Sequence, residues 1–193
     1  MNNFTYFDNS TPKSTAISIA RLNMGIGGFE ADPIKNINLS SDGKYWIVET
    51  YNSFYKDQVV VMTIDTKTLM SKVENGEWKS LDELKALYIA DIQSNCGPGK
   101  PQKITMNGKE IWKVQEYDYE GDYLDPQVEY VYVDVATGKS KNTWKEFNEF
   151  AFKNDWLTLK EVDDTINRID QLDPSLGLEG PSFKNALRNL YPE

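Results

Sequence analysis

The sequence predicts an α+β fold: two repeated units, each a helix beside a three-stranded antiparallel meander, followed by a C-terminal helical segment. Three observations predict it. First, the chain nearly repeats itself. Pro33, Gly43-Lys44-Tyr45-Trp46-Ile47-Val48, Gln58-Val59 and Ile64-Asp65-Thr66-Lys67-Thr68 return as Pro101, Gly108-Lys109-Glu110-Ile111-Trp112-Lys113-Val114, Gln127-Val128 and Val133-Asp134-Val135-Ala136-Thr137-Gly138. Second, each copy runs into Trp-Lys and an amphipathic segment, Trp78-Lys79-Ser80-Leu81 and Trp144-Lys145-Glu146-Phe147. Third, segments rich in valine, isoleucine, tyrosine and threonine alternate with segments whose apolar residues recur at helical spacing. The expected boundaries are 1–95 for the first unit and the helix that follows it, 96–152 for the second unit, and 153–193 for a helical extension packed on the same body.

Taken in order, Thr11-Pro12 is a cap residue followed by proline at the first helical position, and Ala16, Ile19, Ala20 and Met24 then share a face. Gly25, Gly27 and Gly28 end that helix; without a following Lys-Ser/Thr, they form a turn rather than a phosphate loop. Strands are expected over 34–39, 45–51 and 58–64, with Asp42-Gly43 as a tight hairpin turn. Ser80-Leu81-Asp82-Glu83 is a capping box, and Leu81, Leu84, Tyr88 and Ile92 follow at helical spacing up to Gly97-Pro98-Gly99. The second copy predicts strands over 103–106, 111–117 and 128–133, with Asn107-Gly108 at the first turn. In the tail, Thr143-Trp144-Lys145-Glu146 and Thr158-Leu159-Lys160-Glu161 are further capping boxes. The second leads Leu159, Val162, Ile166 and Ile169 along one stripe, and Pro181 opens a short helix carrying Phe183, Leu187 and Leu190.

A helix, then strands, then a closing Val-Asp-x-x-Thr-Gly, here Val133-Asp134-Val135-Ala136-Thr137-Gly138 after Ile111-Trp112-Lys113-Val114, resembles the PepSY domain, a small α+β module of bacterial peptidase propeptides and cell-envelope proteins. The resemblance covers roughly residues 14–139. The first copy departs from the motif, since Ile64-Asp65-Thr66-Lys67-Thr68 has no glycine at its end. PepSY modules carry no catalytic residues of their own, so the resemblance implies binding or inhibition.

Composition narrows the function classes. A 193-residue chain with 39% apolar and 12% aromatic residues supports a packed interior. Its 21 Lys+Arg against 30 Asp+Glu give a net charge of -9, which repels nucleic acid and anionic membrane and favours a basic partner. With no histidine, Ser-His-Asp and Cys-His nucleophiles and histidine-bearing zinc sites are excluded. Cys96 is the only cysteine, so no intrachain disulfide forms. It stands at a helix exit, away from the positive helix N-terminus that would lower a thiol pKa, and reads as an incidental thiol. The N-terminus lacks the basic start and apolar run of a signal peptide, so a cytoplasmic location is expected, or a periplasmic or exported one after removal of a leader. No stretch reaches the ~20 apolar residues that cross a bilayer.

The candidate site is the acidic run Glu116, Asp118, Glu120, Asp122 and Asp125, interleaved with Tyr117, Tyr119 and Tyr123. Its carboxylates are compatible with a calcium loop, a glycosidase-like acid pair, a solvated strand connection or a surface docking a basic protein. Asp118, Glu120 and Asp122 imitate the first ligands of an EF-hand loop. Gly121, however, falls before the third ligand rather than after it, and no glutamate stands at the twelfth place. Trp46 and Trp112, like Trp78 and Trp144, occupy equivalent places and read as repeated core or boundary packing, a binding role requiring solvent exposure. The expectation is a non-enzymatic protein-binding inhibitor without metal or cofactor, most concretely a bacterial immunity protein neutralising a basic toxin. Its partner-binding residues are then Glu116, Asp118, Tyr119, Glu120, Asp122, Tyr123 and Asp125. A phage anti-defence protein mimicking nucleic acid and a carboxylate-based hydrolase are the alternatives. The first requires acids lining one face at regular spacing, and the second two of Glu116, Asp118, Asp122 and Asp125 converging in a cleft.

Overall fold

A computed structural model describes residues 8–25, 34–51, 58–91, 98–116, 129–143, 155–158, 160–162, 164, 165 and 168. Within them the chain is α+β, with helices α1 (Pro12–Gly25) and α2 (Leu81–Asp91) and two antiparallel sheets. The first sheet is β1 (Ile34–Leu39), β2 (Tyr45–Tyr51), β3 (Val59–Asp65) and β4 (Ser71–Val73), in that order. The second is β5 (Pro98–Met106), β6 (Lys109–Glu116), β7 (Glu129–Asp134), β8 (Lys139–Asn142) and β9 (Leu157–Thr158). The chain divides into two compact units, and the division falls inside α2 between Tyr88 and Ile89.

In the first unit α1 starts where the sequence places it. Thr11 Oγ1 accepts the Ser14 amide at 3.0 Å and Ser14 Oγ accepts the Thr11 amide at 2.9 Å, a reciprocal cap with serine in the usual place of glutamate. The sheet register then decides what faces the helix. Leu39, Trp46, Ile64 and Ser71 form one cross-strand row, and Ile37, Val48, Met62 and Val73 the next. Cross-strand partners share a face, so both rows present one side of the sheet to Ala16, Ile19, Ala20 and Leu22 of α1. Val48, Met62 and Ile64 are fully buried, each contributing roughly 1.5–3 kcal/mol of apolar burial. Leu84 of α2 completes the core, and Ser80 Oγ caps α2 through the Glu83 amide at 3.1 Å. A polar tie crosses the apolar layer: Asn23 Nδ2 donates to Ser71 Oγ at 2.8 Å and to the Ile19 carbonyl at 3.1 Å, serving a serine with no exposed surface.

The second unit has its own rows: Lys103, Trp112, Val133, Ser140 and Leu157, then Pro101, Val114, Val131 and Asn142. Val114, Val131, Val133 and Ser140 are buried. Helical turns at 160–162 and 164–165 bury Val162 and Thr165. They begin at the predicted capping box, where Glu161 Oε2 accepts the Thr158 amide at 2.7 Å and Thr158 Oγ1 accepts the Glu161 amide at 3.3 Å.

Two expectations need correction. The sheets have four and five strands, not three. The added strands Ser71-Lys72-Val73, Lys139-Ser140-Lys141-Asn142 and Leu157-Thr158 are too short or too polar to show alternation. The turns also differ. Asn107 and Gly108, at φ of 51° and 77°, make a two-residue connection between Met106 and Lys109 with the twist a hairpin favours. At Asp42-Gly43 the connection is wider, closed by the Ser40 amide on the Tyr45 carbonyl at 2.8 Å.

The missing glycine of the first copy has a structural answer. Gly138 adopts a φ of 69° and donates its amide to the Asp134 carbonyl at 2.8 Å; Leu69 adopts a φ of 59° and donates to the Asp65 carbonyl at 3.0 Å. Leucine accepts a left-handed conformation costing roughly 1–2 kcal/mol, offset by its packing against the first core. Gly138→Ala should therefore destabilise the chain by about 1 kcal/mol. Asn23→Ala should cost about 1–3 kcal/mol, because it strands the buried Ser71 hydroxyl. Urea unfolding measures both, and an unchanged midpoint for either variant contradicts the role given to that residue.

Candidate partner-binding surface

The acidic run belongs to one hairpin. Residues 117–128 join β6 to β7, whose last paired residues are Glu116 and Glu129. Two acidic residues thus stand directly opposite each other where the connection leaves the sheet, an arrangement that works against strand pairing. The first sheet has Tyr51 opposite Val59 at the corresponding end of β2 and β3. Of the predicted site residues, Glu116 ends β6. Asp118, Tyr119, Glu120, Asp122, Tyr123 and Asp125 lie outside the described residues, as do Cys96, Trp144 and the expected segment 181–190.

Four carboxylates elsewhere, Asp8, Asp42, Asp65 and Glu161, are engaged in local structure. The Thr68 amide, then the Lys67 amide, hold Asp65 below its usual pKa, donating to its Oδ1 at 2.7 and 2.9 Å. Asp42 is lowered by the Ser40 hydroxyl and the Lys44 amide, Asp8 chiefly by the Ser10 amide, and Glu161 by the Thr158 amide and hydroxyl. Every displaced carboxylate among the described residues is displaced downward, by hydrogen bonds to the charged form. A general acid working near neutral pH needs the opposite displacement. Among the described residues no group of three acidic or cysteine side chains is placed to hold a metal ion, and no helix is long and apolar enough to cross a membrane.

The tryptophans separate into two kinds. Trp46 is half-buried against the first core, and Trp112 is half-buried with Lys103 Nζ 6.0 Å from its ring centre. Trp78 is 39% exposed, flanked by Lys72 Nζ at 5.2 Å and by the Tyr45 ring at 6.2 Å between centroids. It meets the exposure required of a binding aromatic. Tyr51, with Lys35 Nζ 5.5 Å from its ring, and Val61 are also exposed. By register Tyr45, Tyr51 and Val61 stand on the face of the first sheet turned away from α1. Sequence reasoning missed these residues because period-two alternation marks both faces as strand, and only the packing of α1 tells inside from outside.

The chain matches no protein-family model, no curated protein and no solved structure. Its chemistry therefore rests on the residues themselves.

The lowered carboxylates set a direction for pH dependence. Each has a folded-state pKa below its unfolded value, so each contributes stability present above about pH 4 and lost as pH falls through the folded-state value. Asp65→Asn keeps an acceptor oxygen in the turn but removes the titration. The variant's melting temperature should fall less steeply between pH 4.5 and about pH 2.5 than that of the parent. Equal slopes would contradict the role of the Asp65 carboxylate in the turn.

Proposed function

We propose that this protein is a non-enzymatic protein-binding inhibitor, most concretely a bacterial immunity protein that neutralises a basic toxin, built from two PepSY-like α+β units. The observation that carries the reading is the β6–β7 hairpin, where Glu116 and Glu129 face each other at the base of a connection bearing Asp118, Glu120, Asp122 and Asp125. Opposed like charges weaken a hairpin, so their presence at this place fits a use outside the fold. A net charge of -9 adds long-range attraction for a basic surface, and Tyr119 and Tyr123 supply contact area between the charges.

Common ancestry of the two units is part of the proposal. Trp46 pairs with Ile64 and Ile64 with Ser71; Trp112 pairs with Val133 and Val133 with Ser140. Both serines are buried, and both third strands end in Asp-x-x-Thr turns closed by a left-handed residue. This shared frame supports duplication followed by divergence of the connections.

Affinity capture from the native host should recover a stoichiometric basic protein. Asp118→Asn with Asp122→Asn should leave stability within ~0.5 kcal/mol and weaken capture mainly through a slower association rate, with salt reducing the difference. Unchanged association kinetics at low salt would remove the acidic connection from the interface.

A further inference from the structure

The face of the second sheet turned away from Val114, Val131 and Val133 buries Ile111 and beyond it carries a charge opposite to that of the chain as a whole. Gln102, Lys113, Tyr132 and Lys141 form one cross-strand row from β5 to β8, and Gln115 and Tyr130 pair in the neighbouring row. Lys113 Nζ lies 3.5 Å from the centre of the Tyr130 ring, so its ammonium is held against an aromatic face. Lys113, Tyr130, Tyr132 and Lys141 are all half-buried. Among the described residues no carboxylate lies within ion-pair distance of Lys113 or Lys141. The matching row of the first sheet is Asn38, Ile47, Thr63 and Lys72, so a lysine at the fourth place is common to both sheets, whereas Lys113 and Tyr132 are particular to the second.

We propose that this row binds an extended acidic, proline-containing segment of a protein partner, lying across the strands. Lys113 and Lys141 sit two strands apart, a span of about 10 Å at ordinary strand spacing. A polyproline II chain has three residues per turn and rises about 3.1 Å per residue, so acidic residues at positions i and i+3 lie on one side about 9 Å apart. They reach Lys113 and Lys141 together, and the proline between them rests on the Tyr132 ring, as such chains rest in aromatic-lined grooves. A β-strand ligand fits less well, because its i and i+3 side chains point to opposite faces. Nucleic acid is disfavoured by the net charge of -9, which a polyphosphate meets along its whole length. This surface is independent of the acidic hairpin connection and opposite to it in sign, so either assignment can fail without the other.

The test uses the full chain and a fluorescein-labelled peptide of four Glu-Pro-Pro repeats, read by fluorescence anisotropy at low salt. Saturable binding is expected, weakened about tenfold by Lys113→Gln with Lys141→Gln through the loss of two charge contacts, and unchanged by Lys109→Gln. A Lys-Pro-Pro peptide, which the acidic surface attracts, should neither displace the Glu-Pro-Pro peptide nor lose affinity in the double variant. Should the double variant melt well below the parent, Lys141→Gln alone is expected to weaken binding about threefold while leaving the Lys113–Tyr130 pair in place. Three results would overturn the proposal: no saturable binding of the Glu-Pro-Pro peptide, equal binding by parent and Lys141→Gln, or tighter binding of a single-stranded oligonucleotide of equal charge.

Discussion

Strand register is the constraint on which the rest of this structure depends. Because side chains alternate strictly across a sheet, pairing Trp46 with Ile64 and Trp112 with Val133 fixes in one step which residues are buried and which face outward. A slip of one residue would turn Ile47 and Thr63 inward in the first unit and put Lys113 and Tyr132 where Val114 and Val131 now close the second core. The turns hold that register. The Asp65 and Asp134 loops are closed by their own carbonyls and carboxylates, and the Asn107-Gly108 hairpin admits a two-residue connection alone. The buried serines at the start of β4 and β8 add a polar requirement on the inner face, met for Ser71 by Asn23 of α1.

Given one inner pattern, the two sheets are free to differ outside, and they do. The first exposes Tyr51 and Val61, with Trp78 exposed nearby beside Tyr45 and Lys72; the second carries the Lys113, Tyr132 and Lys141 row. The connections differ as well, a Tyr51–Val59 pair leading into one and a Glu116–Glu129 pair into the other. Conserving the inside of a frame while varying its faces and connections is the economical route to a binding protein, since the core tolerates few changes and the surface many. The proposed acidic and basic surfaces both arise from that freedom.

Much of the frame was legible in the sequence. The bounds of β1 and β2, the start of α1, and the caps at Thr11, Ser80 and Thr158 follow from alternation and capping patterns that depend on a few neighbouring residues. The failures lie where tertiary context overrides local signal. β5 begins at Pro98, inside a Gly-Pro-Gly stretch that reads as a helix stop; as an edge strand with a register shift between Pro98 and Pro101, it tolerates both prolines. β4 and β8 are strands only because a partner offers hydrogen bonds to a short polar segment. In α2 the stripe of Leu81, Leu84 and Tyr88 captured one face, whereas Ala86, Leu87, Ile89 and Ala90, off that stripe, are buried too. At the candidate site the sequence identified the acidic run, and only register revealed that Glu116 faces Glu129 across its base.

Backbone nuclear Overhauser contacts across β2–β3 and β6–β7 test the register most directly. Ile47 should contact Thr63 and Lys113 should contact Tyr132, each partner lying two residues before its turn aspartate, Asp65 or Asp134. Both pairings at that same offset are the predicted result. A shift of one residue in either sheet, with Lys113 opposite Val131 or Val133, would contradict the common frame, the inward rows and the outer lysine row together.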